Sequence, residues 1–509
     1  MSYKIYLLVN MLRANFGGLG KAQWTRTNML LKQGKSVEIL STSFNTDVNL
    51  VRKELLDAGR LDENAIYRNM YDELAGDKTG ASDCSVSLPD ERPLISHPIE
   101  DDGFAVDKGA KPNTYRFYKD GLYRKFKSFR ENGHLEFIDF YDENRNRTKR
   151  EVYDDKGYLK KIEYMDLKNN NANTICFYNQ KRKCYLSKWL DSETKNIVRI
   201  NLFSDDGKFI KEFKTEDSLK RYWIEEYVIK HDNKPIIISD IRNFDNVVVN
   251  LNNNKLRRIA VIHTNHFEAP FRFGANISKD YKNLFSKVDK FSAIVFLTEQ
   301  QKLDITNQFG EKTKYIVIPH SAPSISATDI IREDKTIVSV SRYDKMKNLD
   351  HLIKAFQKAL VVVPDAKLEL WGMGPEEDNL KSLVANLSLE KNVFIKGYTA
   401  NSIEIFERAT ASVLTSSREG FGLVITESMA AGAPVISYDT NYGPRDIITD
   451  QKDGFIIEME NIEQLALAII NILVNPEKRK QMSAEARFVS EKFSFSNYTQ
   501  KWLDLFDEL

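Results

Sequence analysis

The chain has 509 residues, 42% of them hydrophobic and 29% charged, and a formal net charge of +1 at pH 7, the composition of a globular protein of two or three domains. Its cysteines, Cys84, Cys176 and Cys184, are too few and too unevenly spaced for a disulfide framework or a structural zinc site. No run of 18 uncharged apolar residues occurs, which excludes a spanning helix and leaves a cytoplasmic location, peripheral at the inner membrane face at most, as the expectation.

The N-terminus reads as a strand rather than a signal peptide, because the apolar run Lys4 to Val9 has no small-residue cleavage site after it. A glycine turn follows at Gly17, Gly18 and Gly20, then a helix over Lys21 to Leu31 and a second strand at Ser36 to Leu40. Strand, glycine-rich turn and helix make the opening unit of a doubly wound parallel sheet.

Near residue 75 the texture changes. Pro89 to Gly109 reads as a loop, and short aromatic strands then alternate with turn signals. The turns at Lys119-Asp120-Gly121, Glu131-Asn132-Gly133, Asp155-Lys156-Gly157 and Asp205-Asp206-Gly207 supply residues that tolerate positive φ. The pattern predicts an antiparallel β-meander of about 110 residues. Between Lys111 and Arg221 there are 26 Lys or Arg against 18 Asp or Glu, an excess of +8 that leaves the rest of the chain at −7. A local basic excess is what a polyanionic partner would use, and also what keeps a surface solvated.

The α/β pattern resumes near residue 215, with strands expected at Pro235 to Ser239, Arg258 to His263 and Phe291 to Leu297. A proline-marked linker, Ile318 to Pro323, leads to further strands at Thr336 to Val340, Lys367 to Trp371, Val393 to Ile395, Ala411 to Thr415 and Pro434 to Tyr438. The expected fold is α/β, two Rossmann-like domains facing a cleft with an antiparallel β-meander inserted into the first. The expected boundaries are 1–75 and 215–325 for the first domain, 76–214 for the insert, 326–485 for the second domain, and 486–509 for a C-terminal helix returning to the first. Ligands of such folds bind at the carboxyl ends of the strands.

The strongest chemical signal runs from Ser416 to Gly443. Glu419 stands in a loop after a strand, Gly420 and Gly422 permit close backbone approach, and a helix begins near Gly422. The first N–H groups of that helix, on Leu423 and Val424, are free to face a diphosphate. Glu427 follows Glu419 by eight residues, about a turn and a half into the helix, and can point into the same cleft. Glu419-Gly420-Phe421-Gly422, Glu427-Ser428-Met429-Ala430 and Gly432-Ala433-Pro434-Val435 resemble the E-x7-E motif of retaining GT-B glycosyltransferases. That resemblance implies that Glu419 faces the donor sugar and Glu427 the ribose. Arg342 and Lys347, at the end of the strand Thr336 to Val340, match the family's Arg-x4-Lys pair and would neutralise the leaving diphosphate. Gly17-Gly18 matches the glycine pair beneath the donor phosphates. His263 takes the place of a histidine that approaches the donor sugar, with His266 as its competitor. Trp371 to Pro375 and Lys396-Gly397-Tyr398 look like the loops near base and ribose, with Tyr398 beside the uracil. The family reading thus gives His263, Glu419, Arg342 and Lys347 catalytic roles, and Gly17, Gly18, Tyr398, Gly420, Phe421, Gly422, Leu423 and Glu427 donor-binding ones.

The insert, Asn441-Tyr442-Gly443-Pro444 and Ile262 to His266 resemble one bacterial branch, the TarM- and TagE-type wall teichoic acid α-glycosyltransferases and the related enzymes that glycosylate serine-rich adhesins. Leu12, Arg13 and Ala14 depart from the acidic stretch of TarM-like chains. The basic insert favours a polyol-phosphate acceptor, with UDP-glucose or UDP-N-acetylglucosamine as donor. The resemblance also implies a homo-oligomer, a trimer among the options, assembled through the insert. No cofactor or metal is expected, because no Asp-x-Asp metal motif stands in a convincing position and Asp205-Asp206 belongs to a hairpin turn. Three other readings stand beside this one. They are a serine-rich adhesin glycosyltransferase, a non-catalytic acceptor-binding subunit, and a nucleic-acid binder stacking bases on Tyr115, Phe117, Tyr118 and Tyr123, whose alternation more simply makes them half-buried sheet residues.

Overall fold

The computed structural model describes residues 3–13, 17–76, 92–325 and 332–509. Cys84, Ala14, the first residues of the Pro89–Gly109 segment and the first residues after the 325/326 boundary lie outside the described residues. Two compact units divide the chain, 1–258 and 259–509.

In the first unit β1 (Lys4–Val9), β2 (Ser36–Ser41), β3 (Ile66–Asn69) and β14 (Pro235–Ser239) pair in parallel in the order β14-β1-β2-β3. Strand β1 reads as a near-continuous apolar run because both of its faces are covered, and Ile5 lies between Ile236 and Val37 in register. A helix, Gly18–Lys32, follows β1 with Gly17 as its extended N-cap, three residues earlier than the sequence suggests. Its Arg26 pairs with Asp240 just beyond β14; the two side chains are 2% and 0% exposed, and the Gln23 amide donates to the same carboxylate at 3.2 Å.

Between β3 and β14 stands the insert, whose strands run from β4 (Ala105–Lys108) to β13 (Phe209–Phe213), each paired antiparallel with its sequence neighbours. Strand β4 occupies part of the segment expected to be loop. At the turn of Asp120 and Gly121 both residues take positive φ, 51° and 78°, which matches the strand twist. Four further turns put Arg145, Asn170, Arg182 and Lys195 at φ of 57–64°. Each opens on an Asp or Asn whose side chain accepts backbone N–H groups of the turn, as Asp142 does from Asn144 and Asn146 and Asn179 from Lys181 and Lys183. The meander docks on the parallel part through Phe44, Tyr71 and Phe177, whose ring centroids lie 4.9–5.5 Å apart. Lys188 donates to the Tyr71 hydroxyl at 2.6 Å and pairs with Glu216, and Arg130 pairs with Asp47 at 2.8 Å. Several cations of the basic excess therefore hold the insert in place. Others, including Arg145, Lys168, Arg182 and Lys195, are exposed at the turns.

In the second unit the last three residues of β15 (Arg257–Val261) pair in parallel with β16 (Ala293–Phe296), which pairs in parallel with β17 (Lys314–Val317). Six further parallel strands, β18 (Thr336–Val340), β19 (Lys367–Trp371), β20 (Val393–Gly397), β21 (Ala411–Leu414), β22 (Val435–Tyr438) and β23 (Gly454–Ile457), form a sheet of order β20-β19-β18-β21-β22-β23. Its core packs Leu352, Ile353 and Phe356 of one helix against Leu465 and Ile469 of another. The order reverses between β18 and β21, so the loops leaving their carboxyl ends are neighbours, which is where open α/β sheets bind ligands. The last helix, Phe495–Glu508, lies beside β17, with Lys501 donating to the Val317 carbonyl and Glu508 paired with Lys314. Among the described residues no helix is long and apolar enough to cross a membrane.

Removing Arg26 leaves the Asp240 carboxylate buried without its cation, a change that costs about 3–5 kcal/mol. Arg26→Ala is expected to lower the urea midpoint of the first unit accordingly. An unchanged midpoint contradicts the assignment of this pair as the clamp between helix and sheet.

Candidate functional site

The loop after β18 folds back on β19. Ser341 N–H donates to the Trp371 carbonyl at 3.0 Å, and the buried Tyr343 hydroxyl donates to the Leu370 carbonyl at 2.7 Å. Asp344 caps the short turn Lys345–Lys347 by accepting from Met346 N–H at 3.1 Å. Glycine is required alongside, since a Cβ on Gly372 or Gly374 would overlap the carbonyl of Ser341 or Tyr343.

The loop after β21 is stitched to this one. The Thr415 hydroxyl donates to the Lys347 carbonyl at 2.6 Å, the Asn348 amide to the Thr415 carbonyl at 3.1 Å, and Ser417 N–H to the Met346 carbonyl at 2.8 Å. Together these bring Lys347 Nζ to 2.6 Å from Glu419 Oε1, with the two side chains 22% and 16% exposed. Arg342, by contrast, is 70% exposed and pairs with Asp344 at 2.9 Å. A bound dianion would compete with Glu419 and Asp344 for these two cations.

Past Glu419 the backbone is tightly constrained. A Cβ on Gly420 would overlap the carbonyl of His263, and Gly422 opens the helix Leu423–Ala430 at φ 87°. Leu423 stands in the first turn, where N–H groups have no helical partner. The Phe421 ring is 2% exposed and edge-on to His320 and Phe493, each at 5.5 Å, so Phe421 offers a ligand its backbone alone. Glu427, 5% exposed, accepts from the Ser402 hydroxyl at 2.8 Å. Ser402 begins the helix Ser402–Arg408, and Tyr398, 47% exposed, lies in the connection leading to it.

The two candidate histidines have different surroundings. Strand β15 stops at Val261, so His263 lies beyond its end, with its carbonyl against Gly420 and its ring stacked on His320 at 5.5 Å and 12°. His266 is fully buried beside Phe267, Phe285 and Tyr442, and burial pushes its imidazole down to about 3, which keeps it neutral. His263 is therefore the histidine at the Glu419 loop. Gly17 and Gly18 stand at the head of the first helix in the other unit, exposed, and a Cβ on Gly17 would meet nothing within 4 Å.

Sequence reasoning missed Asp344, Ser402, His320 and Asn265 as members of this neighbourhood. Asp344 caps a short turn and Ser402 opens a helix capped by Asn401, places where Asp and Ser are common, so their sequence signal is generic. His320 and Asn265 gain their positions only through tertiary contacts. Asp205 and Asp206 lie in the expected hairpin turn, Asp206 pairing with Lys208 at 2.7 Å. Among the described residues no cluster of three or more His, Cys, Asp or Glu side chains could hold a metal ion.

Comparison with known proteins gives this geometry a context. Residues 324–488 match the family Glycosyl transferases group 1. The chain is 28% identical over 511 residues to the poly(glycerol-phosphate) alpha-glucosyltransferase of Bacillus subtilis (strain 168), covering 98% of this chain and 74% of that protein. It is 27% identical to the poly(ribitol-phosphate) alpha-N-acetylglucosaminyltransferase of Staphylococcus aureus (strain COL), covering 99% of each. The structure superimposes on S. aureus TarM solved with fondaparinux, alpha-GlcNAc-glycerol and UDP, with a TM-score of 0.85 at 24% identity over 99% of this chain and 100% of that one. The chain thus has the GT-B fold and carries a group 1 glycosyltransferase domain.

A methyl group at Gly420 has no room unless the His263 loop retreats. Gly420→Ala is expected to cost about 1–3 kcal/mol of stability, read as a lowered melting midpoint. A midpoint equal to that of the unmodified chain contradicts the close approach.

Proposed function

We propose that this glycosyltransferase moves glucose or N-acetylglucosamine from a UDP-sugar to a polyol-phosphate acceptor of the wall teichoic acid kind, in α-linkage and with retention. The observation that carries the reading is the meeting of Lys347 and Glu419 at the carboxyl ends of β18 and β21, with Arg342 on the same loop and Glu427 on the following helix. Two similar proteins of known activity, each matched over almost the whole of this chain, act on poly(glycerol-phosphate) and poly(ribitol-phosphate). That supports the acceptor class, as do the exposed cations at the turns of the insert.

In the proposed reaction Lys347 and Arg342 bind the diphosphate and stabilise the charge it gains as the bond to the anomeric carbon breaks. The N-terminus of the helix Leu423–Ala430 adds unpaired N–H groups and a favourable dipole. Glu419, released from Lys347 when the diphosphate takes its place, accepts from hydroxyls of the donor sugar, and Glu427 accepts from the ribose. The acceptor hydroxyl attacks the anomeric carbon from the face the nucleotide leaves. Its proton passes to a diphosphate oxygen, so that UDP departs as that proton's carrier and no enzyme-bound sugar intermediate forms. His263 orders the reacting groups at the Gly420 edge. The charge stabilisation comes from side chains and backbone, so no metal is needed.

A donor screen with purified teichoic acid and a serine-rich peptide as competing acceptors tests this proposal. Transfer to the polyol phosphate is expected from a UDP-sugar, persisting in excess EDTA and falling by roughly 100-fold or more in Glu419→Ala, the scale on which loss of an active-site charge contact acts. Equal rates on acceptors with and without the phosphate backbone contradict the acceptor class, and a strict manganese requirement contradicts the metal-free route. Assembly through the insert is part of the same proposal. Light scattering at micromolar concentration is expected to give a multiple of 58.8 kDa, and a monomer mass contradicts it.

A further inference from the structure

Between the His263 loop and the Glu419 loop lies one side chain that the proposed reaction does not use. Asn265 is 1% exposed, and its amide makes three hydrogen bonds. Nδ2 donates to the Phe271 carbonyl at 2.7 Å and to the Asn441 carbonyl at 3.0 Å, while Oδ1 accepts from Phe267 N–H at 2.8 Å. The Asn441 carbonyl is also the acceptor for Glu419 N–H at 3.0 Å, and Tyr442 N–H returns a bond to the Glu419 carbonyl at 2.9 Å. The backbone of Glu419 is therefore held on both sides by residues 441 and 442, and Asn265 is the side chain that fastens residue 441 to the segment bearing His263.

The neighbours reinforce this clamp. The Tyr442 ring stacks on His266 at 5.8 Å and 5°, and its hydroxyl donates to Asp304 Oδ2 at 2.6 Å. Gln301 donates to the Thr264 carbonyl at 2.9 Å, and the Arg418 guanidinium lies 5.3 Å from the centre of the Phe271 ring. The Tyr442 and Arg418 contacts join the segment 264–271, or the helix packed against it, to the loops 441–443 and 418–420, and the Gln301 bond holds that helix to the segment. A buried amide with three bonds is expensive to replace, because removing its donors strands carbonyl groups away from water.

We infer that Asn265 is a positioning residue: it sets the separation between His263 and Glu419, and through it the alignment of the donor sugar for attack. The inference rests on the reading that His263 and Glu419 face one donor. The hydrogen bonds of Asn265 go to backbone groups of Phe267, Phe271 and Asn441, so its effect falls on the reacting geometry rather than on ground-state affinity. A displacement of about 1 Å in such a site is worth on the order of 100-fold in rate.

The test is Asn265→Asp, which keeps the shape and the bond from Phe267 N–H, removes the two donations and sets a carboxylate oxygen against the Phe271 and Asn441 carbonyls. Initial rates with UDP-sugar and teichoic acid are measured beside the unmodified protein, together with the melting midpoint. The expected result is a fall in kcat of roughly 10–100-fold, with the KM for the donor within about threefold and the folded fraction unchanged at the assay temperature. A folded variant whose kcat stays within twofold, or whose loss lies wholly in KM, overturns the inference. Should Asn265→Asp fail to fold, Tyr442→Phe replaces it, loosening the same segment from its far side. A kcat loss of about threefold or more without a KM change then supports the clamp, and an unchanged kcat overturns it. No transfer by the unmodified protein would instead sink the proposed reaction, an outcome distinct from failure of the clamp.

Discussion

The site depends on how closely two backbones approach at Gly420. Only a residue without a Cβ lets the loop after β21 rest on the carbonyl of His263, and that contact fixes where Glu419 can stand. Three hydrogen bonds then tie the same loop to residues 346–348, which delivers Lys347 to Glu419. If the loop moved away, the ion pair, the start of the helix Leu423–Ala430 and the His263–His320–Phe421 ring cluster would lose their common support.

This arrangement suits a site that must accept and release a highly charged ligand. Its two candidate phosphate-binding cations are matched with carboxylates, Lys347 with Glu419 and Arg342 with Asp344. A largely buried cation such as Lys347 is costly without a counter-charge, and exchange of one anion for another avoids that cost. In the proposed reaction the exchange would also free Glu419 for a neutral sugar as the diphosphate arrives, coupling donor binding to assembly of the sugar subsite.

Much of this was legible in the sequence where a local rule applies. The parallel strands announce themselves as short apolar runs, and the spacing of Glu419, Gly420, Gly422 and Glu427 specifies a loop, a helix start and a second carboxylate one and a half turns on. Some turns of the meander were legible through Gly121, Gly133, Gly157 and Gly207. The turns at Arg145, Asn170, Arg182 and Lys195 were not, because their positive φ is supported by a preceding Asp or Asn side chain instead of by glycine. Pairings across the fold were illegible. Nothing local distinguishes His263 from His266, and only packing shows that one lies at Gly420 while the other is enclosed by aromatic rings. The engagement of Arg342 with Asp344, and of Asn265 with residue 441, likewise needs contacts that no periodicity encodes. The basic excess of the insert gave a correct count but no division between cations that dock the sheet, such as Arg130 and Lys188, and those left at its turns.

The account stands or falls on whether Lys347 and Arg342 receive a diphosphate beside Glu419. Calorimetric titration of the unmodified protein and of Lys347→Ala with UDP, and with uridine as the phosphate-free control, tests this most directly. The account predicts that UDP binding weakens by about tenfold or more in Lys347→Ala, the worth of one charge-assisted contact, while uridine binding is unchanged. Equal UDP affinity in the two proteins would contradict it.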